Sequence, residues 1–159
     1  MPVSTAHSQL IYAALKQCGV RLLSALPETW LVHLVALGEA DPDMTLVRLA
    51  KEAEGVGISA GAHLAGVKSA MLMQNHGLLA SANGIVSLAQ LYRIPLLMLV
   101  SYRGEFGEEH PWQTEGGGAT EPLLHAEGPA SYGIDVHMLE NRFAFQRYLA
   151  SLRPPTGLS

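Results

Sequence analysis

The residues of this chain whose types and spacing could do chemistry fall in short polar groups set between apolar segments. Pro27-Glu28-Thr29 is a turn that carries one acid and one hydroxyl. Glu52 opens a glycine-rich stretch and is followed two residues later by a second acid, Glu54. A carboxylate in a first helical turn is favoured by the helix dipole, which is a routine structural role, but a carboxyl aimed at a ligand nitrogen can share a proton with it. Asn75-His76-Gly77 sets an amide and an imidazole beside a glycine. Arg103, His110 and Gln113 offer the cationic and amide donors that an anionic substrate needs. The structural alternatives are a local ion pair for Arg103 and a surface position for His110 beside Pro111-Trp112. No histidine pair stands at metal-ligand spacing with a Cys or acid cluster, and neither a phosphate-binding glycine loop nor a serine elbow is present.

The elements that must position these groups alternate between helical and extended periodicity, with no internal repeat. Thr5–Cys18 reads as a helix stopped by Gly19, Val20–Ala25 as a strand, and Leu26–Thr29 as the turn into a second helix that Asp41-Pro42-Asp43 breaks. Thr45–Ala50 is a second strand, Glu52 to about Gly66 a third helix, and Lys68–Met73 a third strand. Asn75–Gly77 reads as a sharp loop before a helix over Ala82–Tyr92, and Pro95–Ser101 as the most apolar strand. Arg103–Ala119 contains Gly104, Gly107, Gly116, Gly117 and Gly118 and reads as a long polar loop, of the kind that is usually functional in compact domains. Thr120–Ala126 is a short helix, Ile134–His137 a last strand and Glu140–Leu152 a closing helix. The pattern predicts an α/β fold, a three-layer parallel sheet with helices on both faces, as one domain over residues 1–152 with a frayed tail at 153–159. In such sheets ligands bind at the carboxyl ends of the strands, and every group above follows a strand.

Composition narrows the function classes. The 159 residues suffice for one core, and 48% apolar with 15% charged residues describes a globular chain. A formal charge of -4 argues against a surface built to neutralise nucleic-acid phosphates. The longest unbroken apolar run, Ile94 to Val100, is too short to span a membrane, and no targeting segment is evident. Cys18 has no second cysteine to pair with, so the cytoplasm is the expected compartment. A mean hydropathy of +0.19 is high for so small a chain and points to surface covered by a partner. Ala53, Gly57, Gly61 and Ala65 recur every four residues on the Glu52 helix, leaving one face nearly bare for a backbone or flat ligand, or for packing within the domain.

Lys51-Glu52-Ala53-Glu54-Gly55-Val56-Gly57-Ile58-Ser59-Ala60-Gly61-Ala62-His63-Leu64 resembles the glutamate helix of the pyrimidine-binding domain in thiamine diphosphate enzymes. Within that superfamily it is most similar to the alpha subunit of sulfopyruvate decarboxylase and to phosphonopyruvate decarboxylase. The resemblance extends through Leu26-Pro27-Glu28-Thr29-Trp30, Met71-Leu72-Met73-Gln74-Asn75-His76-Gly77-Leu78, Ile94-Pro95-Leu96-Leu97, Ser101-Tyr102-Arg103-Gly104-Glu105 and Gly118-Ala119-Thr120-Glu121-Pro122-Leu123-Leu124. The family's glutamate stands nine positions before the helix glycine matching Gly61, which selects Glu52 over Glu54.

The resemblance implies that Glu52 is catalytic, through a hydrogen bond to a ring nitrogen of the cofactor's aminopyrimidine, and that Pro27, Asn75 and Gly77 help to bind the cofactor. Glu28, Thr29, His76, Arg103, His110 and Gln113 are the weaker substrate-binding candidates. His76 stands where relatives often carry a small hydroxyl residue, which puts a direct transfer of its role in doubt. The family holds Mg2+ with a Gly-Asp-Gly segment and a downstream Asn, and this chain has no Gly-Asp-Gly. The implied arrangement is a hetero-oligomer in which a diphosphate-binding, beta-type subunit supplies the Mg2+ ligands, while this chain alone supplies none. The implied reaction is decarboxylation of a small anionic 2-oxo acid, first 3-sulfopyruvate to sulfoacetaldehyde. Phosphonopyruvate decarboxylation, carboligation, and a binding or regulatory relative without catalysis are the alternatives.

Overall fold

The computed structural model describes residues 3–104, 108–127 and 134–138. Five strands, β1 (Val20–Ala25), β2 (Thr45–Arg48), β3 (Lys68–Gln74), β4 (Leu96–Ser101) and β5 (Ile134–Met138), form one sheet in the order β2-β1-β3-β4-β5. All neighbours pair in parallel. The chain therefore reverses direction across the sheet between β1 and β3, and open sheets of this order bind ligands in the crevice outside the carboxyl ends of the strands at that reversal.

Side chains alternate across the strands, and the alternation sorts the core into two layers. Leu23, Ala70, Leu72 and Leu99 pack with Ile11 and Leu15 of α1 (Thr5–Gln17) and with Leu34 and Val35 of α2 (Val32–Ala40). Met71, Met73, Met98 and Val100 point the other way, onto Val56 and Ala60 of α3 (Glu52–Leu64) and Leu78 of α4 (Asn75–Gly84). With both faces covered, β3 and β4 can be continuous apolar runs. The three-layer α/β architecture is the expected one.

Several boundaries were set by local signals and survive. Ser4 accepts a hydrogen bond from the His7 amide at 3.2 Å and caps α1, and Gly19, at φ +82°, ends it. Others move. β2 stops at Arg48, two residues short of the expected Ala50. Asn75-His76-Gly77 is not a loop but the first turn of α4, which continues through a π-helical segment, Ile85–Gln90, so helical structure begins seven residues before Ala82. Most of the expected Arg103–Ala119 loop is helix as well: α5 runs Pro111–Glu127 and contains Gly116, Gly117, Gly118 and Pro122. The expected closing helix Glu140–Leu152, the domain end at 152 and the tail at 153–159 lie outside the described residues.

Candidate functional site

The candidate residues lie in the segments that follow β1, β2, β3 and β4, with Gln113 in the first turn of α5. Glu52 is the first residue of α3, half-buried, just after β2. A Cβ at Gly77, in the first turn of α4, would overlap the Glu52 side chain and lie 2.7 Å from its Cδ and Oε1. The glycine is therefore required so that the Glu52 carboxyl can lie flat across the start of α4. The Gly77 carbonyl is fixed in turn by the Ser81 hydroxyl at 2.6 Å. Among the described residues no hydrogen bond or ion pair engages the Glu52 carboxyl. Glu54 is different: it is exposed, and its Oε2 accepts the Ala50 amide at 3.1 Å, a local stitch at the start of α3. Geometry thus separates two acids that differ by two residues in sequence.

Asn75 is fully buried and its amide is spent inside the chain. Its Nδ2 donates to the Arg103 carbonyl and to the Thr120 hydroxyl, both at 3.0 Å, and its Oδ1 accepts the Arg103 amide at 3.3 Å. Thr120 passes the chain on to the Gly116 carbonyl at 2.7 Å. Asn75 therefore ties the start of α4 and the middle of α5 to the segment after β4. His76 turns toward α5: its Nε2 lies 3.2 Å from the Trp112 carbonyl, which can only accept, so the proton sits on Nε2. Its Nδ1 is buried without a partner, and a Cβ at Gly116 would overlap the ring.

The same close approach explains the other glycines. A Cβ at Gly117 would lie 2.7 Å from the Arg103 carbonyl oxygen and 3.0 Å from Cα of Gly104, while one at Gly104 would overlap the Gln113 carbonyl. Tyr102 adds a hydrogen bond from its hydroxyl to the Gly117 carbonyl at 2.9 Å. The segment after β4 and the first turns of α5 thus lie backbone against backbone, which only glycine permits.

The substrate-binding candidates divide. Glu28 uses both oxygens on the start of α2, accepting the amides of Trp30 at 2.9 Å and Leu31 at 2.7 Å. Pro27 and Thr29 are exposed beside it. Gln113 is half-buried and its Oε1 has no partner. His110 stacks on Trp112, rings 4.7 Å apart. Arg103 makes a two-pronged ion pair with Glu108, Nε to Oε2 at 2.8 Å and Nη2 to Oε1 at 2.9 Å, and its guanidinium lies 5.6 Å over the Trp30 ring. Arg103 holds the Glu108 carboxyl well below the usual range, at about 2, and Glu108 in turn raises the Arg103 guanidinium. Glu108, Thr120 and Trp30 contact the candidate residues, and sequence reasoning did not single them out. Nothing in a polar run marks Glu108 as the partner of an arginine five residues earlier.

Against this geometry stand the relatives. The model of the family described as "Thiamine pyrophosphate enzyme, N-terminal TPP binding domain" matches residues 6–120. The chain is 41% identical over 117 residues to the sulfopyruvate decarboxylase subunit alpha of Methanothermobacter thermautotrophicus, a match that covers 74% of this chain and 71% of that one. It is 30% identical over 99 residues to the phosphonopyruvate decarboxylase of Streptomyces viridochromogenes, covering 62% of this chain but 25% of that longer protein. Among solved structures, the 2-oxoglutarate:ferredoxin oxidoreductase of Magnetococcus marinus shares the fold, with a TM-score of 0.57 and 17% identity over 82% of this chain and 28% of that one. With that match over most of the chain and the parallel α/β sheet in place, the chain belongs to the thiamine pyrophosphate enzyme family as an N-terminal TPP-binding domain.

Proposed function

We propose that this chain is the pyrimidine-binding subunit of a two-subunit thiamine diphosphate-dependent decarboxylase whose substrate is a small anionic 2-oxo acid, 3-sulfopyruvate in the first instance. The observation that carries the proposal is the Glu52 carboxyl, laid over Gly77 at the sheet's carboxyl edge and left without a partner among the described residues. Such a carboxyl suits the ring nitrogen of an aminopyrimidine, with which it can share one proton. The cofactor, when bound, supplies an electron sink for the pair released as carbon dioxide departs. The rest of the work attributed to this chain is positional. Gly77 keeps clear the space in which the carboxyl lies, Asn75 holds the start of α4 against β4, and Pro27 forms an exposed wall after β1.

The Mg2+ and diphosphate ligands are assigned to the partner subunit. In support, the sequence has no Gly-Asp-Gly, and among the described residues no group of His, Cys, Asp or Glu is placed to hold a metal ion. Hetero-oligomeric assembly and a cytoplasmic location belong to the same proposal. Among the described residues no helix is long and apolar enough to cross a membrane. Phosphonopyruvate is the second reading, favoured by the similarity to the Streptomyces enzyme.

The test is reconstitution with a diphosphate-binding subunit. Glu52→Gln is expected to lower kcat at least about 100-fold, the range for removing a general acid or base, while the complex still elutes as one species. Near-normal turnover by Glu52→Gln would overturn the role of Glu52. Turnover of neither anionic 2-oxo acid by the reconstituted wild type would overturn the decarboxylase assignment. Analysis of the products then separates aldehyde release from carboligation.

A further inference from the structure

Arg103 and Glu108 form a filled anion site. The Glu108 Oε1 accepts not only from Arg103 Nη2 but also from the backbone amides of Glu109 at 3.1 Å and His110 at 3.2 Å, while Oε2 accepts from Arg103 Nε at 2.8 Å. One carboxylate is thus gripped by four N–H groups. Both side chains are largely covered, Arg103 at 18% exposure and Glu108 at 9%. Surface ion pairs of long side chains are usually loose and weak, so a covered, two-pronged pair is a different object. The site is also tied to the Glu52 site. The Arg103 backbone is held on both sides by Asn75, two residues before Gly77, and its guanidinium lies over Trp30 from the turn after β1.

We propose that Arg103 is this subunit's oxyanion-recognition residue and that Glu108 is a built-in stand-in for the ligand, holding the guanidinium in a binding geometry until an anionic group displaces it. The inference rests on the proposed function for the identity of the natural ligand, a sulfonate, phosphonate or carboxylate of the 2-oxo acid. The fork of a guanidinium matches two oxygens of any of these. The stand-in role has a chemical consequence: an uncharged ligand cannot compete with Glu108 for Arg103, so the device selects anions. It also makes Glu108 a determinant of affinity that never touches the reacting atoms.

The test uses the full chain with inorganic sulfate, and with acetate as a second arm, read through tryptophan fluorescence. Trp30 and Trp112 are the two tryptophans, so Trp112→Phe leaves Trp30, directly under the guanidinium, as the sole reporter. In that background Glu108→Gln is expected to give a saturable response at least about tenfold tighter than the chain with Glu108 intact, as removal of a charge-assisted competitor requires. Adding Arg103→Gln should abolish it. A tighter response to sulfate than to acetate identifies the tetrahedral end of the substrate as the ligand, and the reverse identifies its carboxylate. A Glu108→Gln chain that binds sulfate no better than the parent overturns the proposal. Should Glu108→Gln unfold, Glu108→Asp, with its carboxylate drawn back by one methylene, serves as the second variant and must bind sulfate more tightly than the parent chain, while equal or weaker binding overturns the proposal. In the reconstituted enzyme Glu108→Gln should lower KM for 3-sulfopyruvate by a larger factor than it changes kcat, a split that a merely structural role would not produce. Because the sulfate titration needs no turnover, loss of the decarboxylase assignment would leave it standing, and failure of the titration would leave that assignment standing.

Discussion

The helices α3 and α5 are both rich in glycine, and they use it in opposite ways. On α3, Gly57 and Gly61 face outward: both are exposed, and a Cβ at either would meet nothing within 4 Å. The inward glycine of that helix is Gly55, where a Cβ would press on Met71 and Leu49. On α5, Gly116 and Gly117 face inward, against the His76 ring and the backbone of Arg103 and Gly104. Helical glycine costs about 1 kcal/mol relative to alanine, so each position needs an offsetting contact. For Gly116 and Gly117 on α5 that contact is visible within the chain, while Gly118 is exposed with nothing within 4 Å among the described residues. At Gly57 and Gly61 on α3 no such contact is present among the described residues, and the proposed partner subunit is what would cover that stripe.

The contrast can be broken most severely at Gly77, the inward glycine under Glu52. Gly77→Ala is expected to displace the carboxyl and lower kcat of the reconstituted enzyme about 100-fold, the scale of a misplacement of about 1 Å, with the fold retained by circular dichroism. Next in size is Gly116→Ala, whose methyl group meets the His76 ring. Overpacking of this kind should destabilise the isolated chain by about 1–3 kcal/mol in urea titration. Gly57→Ala carries the opposite sign. It should stabilise the isolated chain by up to about 1 kcal/mol while weakening its association with the diphosphate-binding subunit, measured by calorimetry. An unchanged association would remove α3 from the proposed interface.

The smallest effect lies far from the site. Asp41, at the end of α2, accepts from Lys16 Nζ at 2.5 Å and from the Tyr12 hydroxyl at 2.8 Å, joining α1 to α2. Lys16 first, then the Asp43 amide and Tyr12, lower its carboxyl from 3.8 to about 2. A carboxyl lowered on folding stabilises the fold above its unfolded value and loses that contribution as pH falls through its folded value. Stability should therefore decline between about pH 4 and pH 2, and Asp41→Asn should flatten that part of the curve in thermal melts.

How much of this was legible in the sequence depended on how local the cause was. The strands, α1 with its Gly19 stop, and α3 with Glu52 at its head were readable, because periodicity and terminal residues act within a few positions. The start of α4 at Asn75 and the helix through Gly116, Gly117 and Gly118 were read as loops, because asparagine, histidine and glycine argue locally against helix. Propensity lost to contacts made elsewhere: Asn75 to Arg103 and Thr120, His76 to Trp112, Gly117 to Gly104.

The sequence by itself therefore determined the α/β class and the order of the elements, since these follow from patterns carried within each segment. Tertiary structure alone decided which glycines are buried and which are bare, and that Asn75 joins Arg103 to Thr120. Those facts depend on which strand ends are neighbours at the sheet's carboxyl edge. That adjacency arises only when β1, β3 and β4 pair and bring segments distant in sequence within hydrogen-bond reach.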